Sequence, residues 1–500
     1  MFGLFRNKQK LKTAKHAAAW NMDAAVLKLS NNEFISLLWA MAGLFIAGMT
    51  GSSKSTSSAK QAARALLRLG CGGLILTVKN ERAMWEKLCK EEGRLDDLVI
   101  FNPQNPWRFD PILHETERKG PGAGMTEVIV ELLMTLVEFT SRDRNQGSRE
   151  NEAYWRNSCM RLLRSATDLL LLAGRRVTVR DLYRVVISAP QSLADVVSEQ
   201  WRRSSFCYEC LAEADKRPRT ASQTADYEIV ADFFLAEFPG TSDKTRSITV
   251  SQFTSTCDVL LRGTLREMFA GGTNITPEAT EEGRIILVDM PLKTWGAVGL
   301  CANLLWKTAF QRSIERRDVR VSPRPVFLFA DEGHYYLHRD DSLFQTTCRS
   351  SRCASILVTQ NIANLDAALG TGDAGRAEAE SLLANFGTLI FHCNTCQRTN
   401  ALASQLCGEQ RVLMASGNST YDADSQWSGV LGLDWLGHSG STSAGFSEQY
   451  RPILEAAAFT RLRAGGKVNG FEADVIVVKS GDLFRSTGTT WLPVTFRQDF

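Results

Sequence analysis

The sequence predicts an α/β fold: a mostly parallel central sheet, covered on both faces and interrupted by an all-α insertion domain. Three observations carry that prediction. Short apolar runs bounded by turn or polar residues recur along the 500-residue chain, and such uninterrupted runs indicate strands buried on both faces. Helix-like segments lie between most of them, which indicates parallel crossover connections. Between about Thr116 and Gly272 the pattern changes to apolar residues at spacings of three and four, with few strand signals.

The predicted strands are Gly43 to Ala47, Gly73 to Val78, Leu98 to Phe101, Arg284 to Asp289, Val326 to Ala330, Ser355 to Thr359 and Thr388 to His392. Ser55 to Leu69 follows the first strand as a helix, with Ala62, Ala65, Leu66 and Leu69 at helical spacing. In the insertion, Val128, Leu132, Leu133, Leu136 and Val137 mark one helix face, and Trp155, Cys159, Leu162, Leu163, Ala166 and Leu169 another. Ala236 to Arg246 reads as an internal loop, because Pro-Gly and Ser-Asp favour turns. Beyond about Gln410 the pattern is less regular, and Gly437 to Gly445 has the small, uncharged composition of a flexible loop.

Composition excludes several classes. With 44% hydrophobic and 23% charged residues, 37 Gly and 13 Pro, the chain is neither disordered nor collagen-like. Lys+Arg 58 against Asp+Glu 55 leaves a net charge of +3, so any nucleic-acid surface must be local. Twelve scattered cysteines read as reduced cytosolic thiols. The basic N-terminal stretch with Phe2, Leu4 and Phe5 lacks the apolar core of a signal peptide; it reads as a frayed terminus or a segment lying on an anionic membrane surface. The longest apolar run, Phe34 to Met49, falls short of the roughly 20 residues that span a bilayer, so a short helix or loop followed by a strand is expected there.

Gly48-Met49-Thr50-Gly51-Ser52-Ser53-Lys54-Ser55 lies between a predicted strand and a predicted helix and has the outline of a phosphate-binding loop. The candidate nucleotide-contacting positions are Gly48, Thr50, Gly51, Ser52, Ser53, Lys54, Ser55 and Thr56. Loop N–H groups and Lys54 would meet the phosphates of ATP, and the Ser55 hydroxyl would bind Mg2+. Ser53 stands where the pattern has Gly, and the plain alternative is a serine-rich turn that binds no nucleotide. Val326 to Ala330 ends in Asp331-Glu332, which is how a strand places one carboxylate to hold Mg2+ through water and a second to orient or deprotonate an attacking water; the alternative is a helix N-cap. Gln360, at the end of another strand, reads either as a γ-phosphate sensor or as a strand-cap amide. His334 is the histidine nearest Glu332 in sequence. Cys207 and Cys210, and Cys393 and Cys396, have zinc-knuckle spacing but lie nearly two hundred residues apart. Arg156, Arg161, Arg164, Arg175, Arg176 and Arg180 enrich the insertion in positive charge, either as phosphate contacts or as a solvated helix face.

These residues resemble the type IV coupling proteins of bacterial conjugation and secretion, of the TraG/TraD kind, within the HerA/FtsK group of ring-shaped motor ATPases. Besides the loop, the acidic pair and Gln360, Val78-Lys79-Asn80-Glu81 is similar to the family's Asp-Pro-Lys-Gly-Glu, and Arg108-Phe109-Asp110-Pro111 to its Arg-Phe-Asn-Pro turn. Tyr154-Trp155 resembles the start of its all-α domain, Asn274 to Val288 the return to its sheet, and Leu382 to Asn394 the segment after its glutamine strand. The resemblance implies a RecA-like P-loop NTPase fold and a homo-hexameric motor that hydrolyses ATP with Mg2+. It implies DNA or a relaxase–DNA complex as substrate, type IV secretion channel components as partners, and a cytoplasmic place, including peripheral association with the inner membrane. It also implies catalytic roles for Lys54, Glu332, Gln360 and Arg349, the last in Thr347-Cys348-Arg349 and reaching a neighbouring subunit's nucleotide. Family members usually carry transmembrane helices ahead of the motor; the segment before the first strand here has about forty residues and no convincing span. The expected organisation is a basic extension (1–30), a nucleotide-binding domain in two parts (31–115 and 273–410), the all-α insertion (116–272), and a C-terminal segment completing the motor (411–500). The competing expectation is an ATP-binding receptor or assembly scaffold whose hydrolysis is weakened by Ser53.

Overall fold

The computed structural model describes residues 20–141, 149–370, 372–420 and 441–499. A small hairpin comes first, β1 (Ala25–Lys28) paired with β2 (Phe34–Ser36). Val26 and Leu27 are buried there, so the stretch expected as a basic extension becomes part of the packed body before residue 30. The apolar run then divides into β2, the short helix α1 (Leu37–Met41) and β3 (Leu44–Ala47). Among the described residues no helix is long and apolar enough to cross a membrane.

The central sheet has nine strands. To β3 it adds β4 (Gly72–Leu76), β5 (Leu98–Phe101), β6 (Ile285–Val288), β7 (Val326–Ala330), β8 (Cys353–Thr359) and β9 (Thr388–His392), so every predicted strand is present with its ends moved by two residues at most. A separate ribbon, β10 (Glu409–Thr420) with β11 (Ser441–Pro452), precedes β12 (Glu472–Lys479) and β13 (Trp491–Arg497). The strand order is β13-β12-β9-β3-β8-β7-β4-β6-β5. The seven strands from β9 to β5 run parallel, and β12 and β13 add antiparallel at one edge. Successive side chains alternate between faces: Phe45, Leu74 and Leu76 enter one core cluster, and Leu44, Ile46 and Ile75 the other.

The outer of the two antiparallel strands, β13, escapes the sequence pattern for a physical reason. In β13 buried Leu492, Val494 and Phe496 alternate with exposed Pro493, Thr495 and Arg497, and Pro is tolerated only at such an edge. The expected flexible loop at Gly437 to Gly445 is corrected in part: Ser441 to Gly445 belong to β11, where antiparallel pairing satisfies the backbone whatever the side chains. Gly437 to Gly440 lie outside the described residues.

After β3, the chain makes one 3-10 turn (Lys54–Thr56) and enters α2 (Ser58–Arg68). The helix α3 (Arg82–Glu91) connects β4 to β5. Among the described residues the interval between β5 and β6 holds helices and no strand, from α4 (Pro111–Glu117), α5 (Thr126–Ser141) and α6 (Arg149–Leu172) to Gly263–Phe269 and a 3-10 turn at Pro277–Thr280. The loop expected at Ala236 to Arg246 shrinks to Thr241 and Ser242. Pro239 sits in the first turn of the short helix Phe238–Gly240, and the Ser242 side chain caps the helix Asp243–Leu261 by accepting from the Thr245 N–H. The long helix Leu292–Arg316 follows β6 and returns the chain toward β7.

Candidate functional site

The order of the strands decides what meets at the sheet's carboxyl edge. β8 lies between β3 and β7, so the loop after β3, the Gln360 at the end of β8 and the acidic pair at the end of β7 stand side by side. This is the crevice where open parallel sheets take ligands.

The loop is built tightly. Gly48 N–H donates to the Thr359 carbonyl at 3.2 Å, Met49 N–H to the Cys393 carbonyl at 2.9 Å and Ser52 N–H to the Met49 carbonyl at 3.1 Å. A β-carbon on Gly48 would run into Ser52 Oγ and His392 Cβ. Gly51 has φ +82° and Ser53 φ 63°, both left-handed. His392, at the end of β9, is fully buried and bridges the loop to α2. Its Nδ1 lies 3.1 Å from the Ser52 carbonyl and its Nε2 2.7 Å from Ser58 Oγ. An acceptor on one side fixes the Nδ1–H tautomer, leaving Nε2 to accept from Ser58. Burial drives the His392 pKa down to about 3, so the ring is neutral.

Charged and hydroxyl groups converge beneath the loop. Lys54 Nζ lies 3.4 Å from Glu332 Oε1, and both side chains are buried. Ser55 Oγ donates to Asp331 Oδ2 at 2.8 Å, and Asp331 Oδ1 accepts the Glu332 N–H at 3.0 Å. Gln360 Nε2 donates to Glu332 Oε1 at 3.4 Å, and Lys79 Nζ approaches the same oxygen at 3.6 Å. Burial pushes the Glu332 carboxyl up, but Lys54, Lys79 and the Gln360 amide outweigh it and hold the group below its usual range. Glu332 Oε2 is buried with no hydrogen-bond partner. Glu332 also sits at φ 50°, a strained conformation for a residue with a β-carbon. Its neighbour Glu81 behaves oppositely: burial and the adjacent Asp331 carboxylate raise it to about 8.

The segment after Glu332 is braced from below. Tyr336 OH donates to the Thr77 carbonyl at 2.6 Å, and Lys307 Nζ binds the Tyr336 carbonyl and Asp341 Oδ2, each at 2.5 Å. His334 lies beside the pair, Nδ1 3.1 Å from Thr359 Oγ1 and 3.8 Å from Glu332 Oε2. A buried ammonium, a serine hydroxyl and two adjoining carboxylates form the donor set that a nucleoside phosphate with Mg2+ requires. The partnerless Glu332 Oε2 and the crowding at Gly48 fit a loop shaped around phosphate.

Of the residues singled out from sequence, Lys54, Ser55, Asp331, Glu332 and Gln360 come together, with the loop from Gly48 to Ser53 above them. Thr56 turns away, its Oγ1 accepting from Gln498 Nε2 at 2.9 Å. Arg349 is exposed in the turn that leads into β8, at the opposite end of that strand from Gln360; this chain does not bring it to Lys54. The arginines of the insertion are mostly neutralised: Arg156 pairs with Glu138, Arg161 with Glu237, Arg164 with Glu127, Arg175 with Glu209 and Glu213, and Arg176 with Glu117. The two cysteine pairs do not form a zinc site. Cys207 and Cys210 are buried on the helix Phe206–Lys216, and among the described residues no group of three or more His, Cys, Asp or Glu is placed to hold a metal. Sequence reasoning missed His392. Only its position ending a strand beside β3 marks it, and strand order is not legible in the sequence.

Residues 325–464 match the family described as the TraM recognition site of TraD and TraG. No curated protein matches the chain. Among solved structures, the bacterial conjugative coupling protein TrwBdeltaN70 in its unbound monoclinic form is 16% identical over 91% of this chain and 85% of that chain, with TM-score 0.56. The plasmid coupling protein TrwB in complex with the non-hydrolysable GTP analogue GDPNP is 15% identical over 94% and 88%, with TM-score 0.58. The same protein in complex with ADP and Mg2+ is 15% identical over 92% and 86%, with TM-score 0.56. The fold is therefore the RecA-like P-loop NTPase fold, and the likeness to TraG/TraD-type coupling proteins holds.

Proposed function

Proceeding from a chain of the TraG/TraD coupling-protein kind, we propose that it is an ATP-dependent motor serving conjugative DNA transfer. The observation that carries this reading is the convergence of Lys54, Ser55, Asp331, Glu332 and Gln360 at the sheet's carboxyl edge. ATP and Mg2+ are the ligands that suit this donor set, and TrwB has been solved with ADP and Mg2+. In this reading Lys54 neutralises the terminal phosphates, and Ser55 and Asp331 hold the ion, Asp331 through water. Mg2+ when bound neutralises charge on the phosphate oxygens. Glu332, kept ionised by Lys54 and Lys79, orients and deprotonates the attacking water, and Gln360 senses the γ-phosphate between the two strands. Arg349 acts on the nucleotide of a neighbouring subunit in a homo-hexameric ring.

DNA, alone or bound to a relaxase, is the proposed substrate, with secretion channel components as partners at the cytoplasmic face of the inner membrane. A partner of the TraM kind at 325–464 is supported by the family match. The pairing of most of the insertion's singled-out arginines with glutamates lowers the local positive charge that a DNA contact there would use. The decisive experiment is an ATPase assay with and without DNA, alongside mass measurement for ring size. Lys54→Ala should abolish nucleotide binding. Glu332→Gln should keep binding and lower turnover by about 10²–10⁴-fold. Undiminished hydrolysis in both variants would refute the proposal.

A further inference from the structure

Where the loop pattern calls for glycine the chain has Ser53, and the fold gives that serine a partner far away in sequence. Its backbone is left-handed, with φ 63°, a conformation unfavourable for a residue carrying a β-carbon. Its Oγ donates to the Ala464 carbonyl at 2.6 Å. The next residue, Gly465, has φ +84°, and a β-carbon there would strike Ser53 Oγ and Gln498 Oε1. Gln498 completes a second tether. Its Oε1 accepts the Gly466 N–H at 2.6 Å, its Nε2 donates to Thr56 Oγ1 at 2.9 Å, and the following Asp499 N–H donates to the Thr56 carbonyl at 2.8 Å. Asp499 in turn binds α2: Arg64 Nη2 meets its Oδ2 at 2.7 Å, and Lys60 Nζ meets its carbonyl at 2.9 Å. Both tethers grip the loop from outside, on residues flanking Lys54 and Ser55, and leave the inner face of the loop to Lys54 and Glu332.

We infer that Ser53 and Gln498 are positioning residues: the Ala464 carbonyl and the Gln498 amide hold the phosphate-binding loop in its left-handed shape, doing by hydrogen bonds what glycine does by conformational freedom. Ser53 is then no mark of a decayed loop. The role rests on the ATP-binding reading above, whereas the tethering itself can be measured without nucleotide.

The experiment uses the full chain and two readouts. Hydrogen exchange of the peptide covering residues 48–58, without nucleotide, reads the tether. KM and kcat for Mg-ATP hydrolysis read its consequence. Ser53→Ala keeps the β-carbon and removes the hydroxyl, and Gln498→Ala removes the second tether. Each should speed exchange in the loop peptide and raise KM about tenfold, with kcat within about threefold of the parent because Lys54 and Glu332 are untouched. The double variant should exceed either single one by less than the product of their effects, since both act on one loop. Unchanged exchange in both variants overturns the tether. Faster exchange with unchanged KM overturns the positioning role. A large kcat gain in Ser53→Gly from a nearly inactive parent overturns it in favour of a degenerate loop. Failure of the ATP reading shows itself separately, as a parent that neither binds nor hydrolyses ATP and equals Lys54→Ala; that result also removes the positioning role and leaves exchange to judge the tether alone.

Discussion

His392→Asn isolates the buried histidine that ties the loop to α2. The ring is fully buried and its pKa lies at about 3, against about 6.5 in the unfolded chain. Between those values the unfolded state binds the proton and the native state refuses it, so stability is complete above pH 6.5 and is lost as pH falls toward 3. Each pH unit in that window is worth about 1.4 kcal/mol. From pH 7.5 to pH 5.0 the titrating span is about 1.5 units, so wild type should lose about 2 kcal/mol through this residue alone. Asparagine does not titrate, and its amide can still donate to the Ser52 carbonyl, while the hydrogen bond from Ser58 is lost at about 1–3 kcal/mol for the stranded hydroxyl. At pH 7.5 the variant should therefore be the less stable protein. At pH 5.0 the gap should narrow by about 2 kcal/mol. Urea unfolding of both proteins at the two pH values measures the gap, and subtraction cancels every other titrating group. A gap that is the same at both pH values would refute the assignment of a neutral, proton-excluding His392.

Other expectations follow from the same geometry. Gly48→Ala places a β-carbon against His392 Cβ and Ser52 Oγ; it should destabilise by about 1–3 kcal/mol in urea melts and weaken Mg-ATP affinity with it. Tyr336→Phe strands the Thr77 carbonyl and should cost about 1–2 kcal/mol, visible as a lowered unfolding midpoint with Lys54 and Glu332 chemistry intact. Glu81, raised to about 8, keeps a proton in the native state that the unfolded state releases near pH 4.5, so its contribution falls as pH rises through that window. In Mg-free protein Glu81→Gln should gain stability relative to wild type between pH 5 and pH 8, and a difference independent of pH would contradict the raised Glu81 carboxyl.

The sequence by itself determined the seven parallel strands, β3 to β9, and pointed to the candidate site residues. Runs such as Val326 to Ala330 and Thr388 to His392 are too short for helices and read as central strands, and Lys54, Ser55, Asp331, Glu332 and Gln360 are legible because each ends or follows such a run. It also determined the helical interval between β5 and β6, through its three-and-four spacing. Only the tertiary structure decided how these pieces stand together. The order β9-β3-β8-β7 puts Gln360 between the loop and the acidic pair and sets His392 beneath Ser52. Chain order carries no trace of that neighbourhood, because hydrogen bonding between strands is indifferent to sequence separation. The edge strand β13 stayed hidden for a related reason: exposed side chains alternate with its buried ones, so its apolar signal is diluted, whereas β12, with Val475 to Val478 as a continuous buried run, carried a strand signal that sequence reasoning passed over. For Ser53 the same division holds. The sequence shows a serine where glycine is expected, and only the approach of Ala464, more than four hundred residues on, makes that serine an anchor of the loop, with Gln498 holding Thr56 beside it.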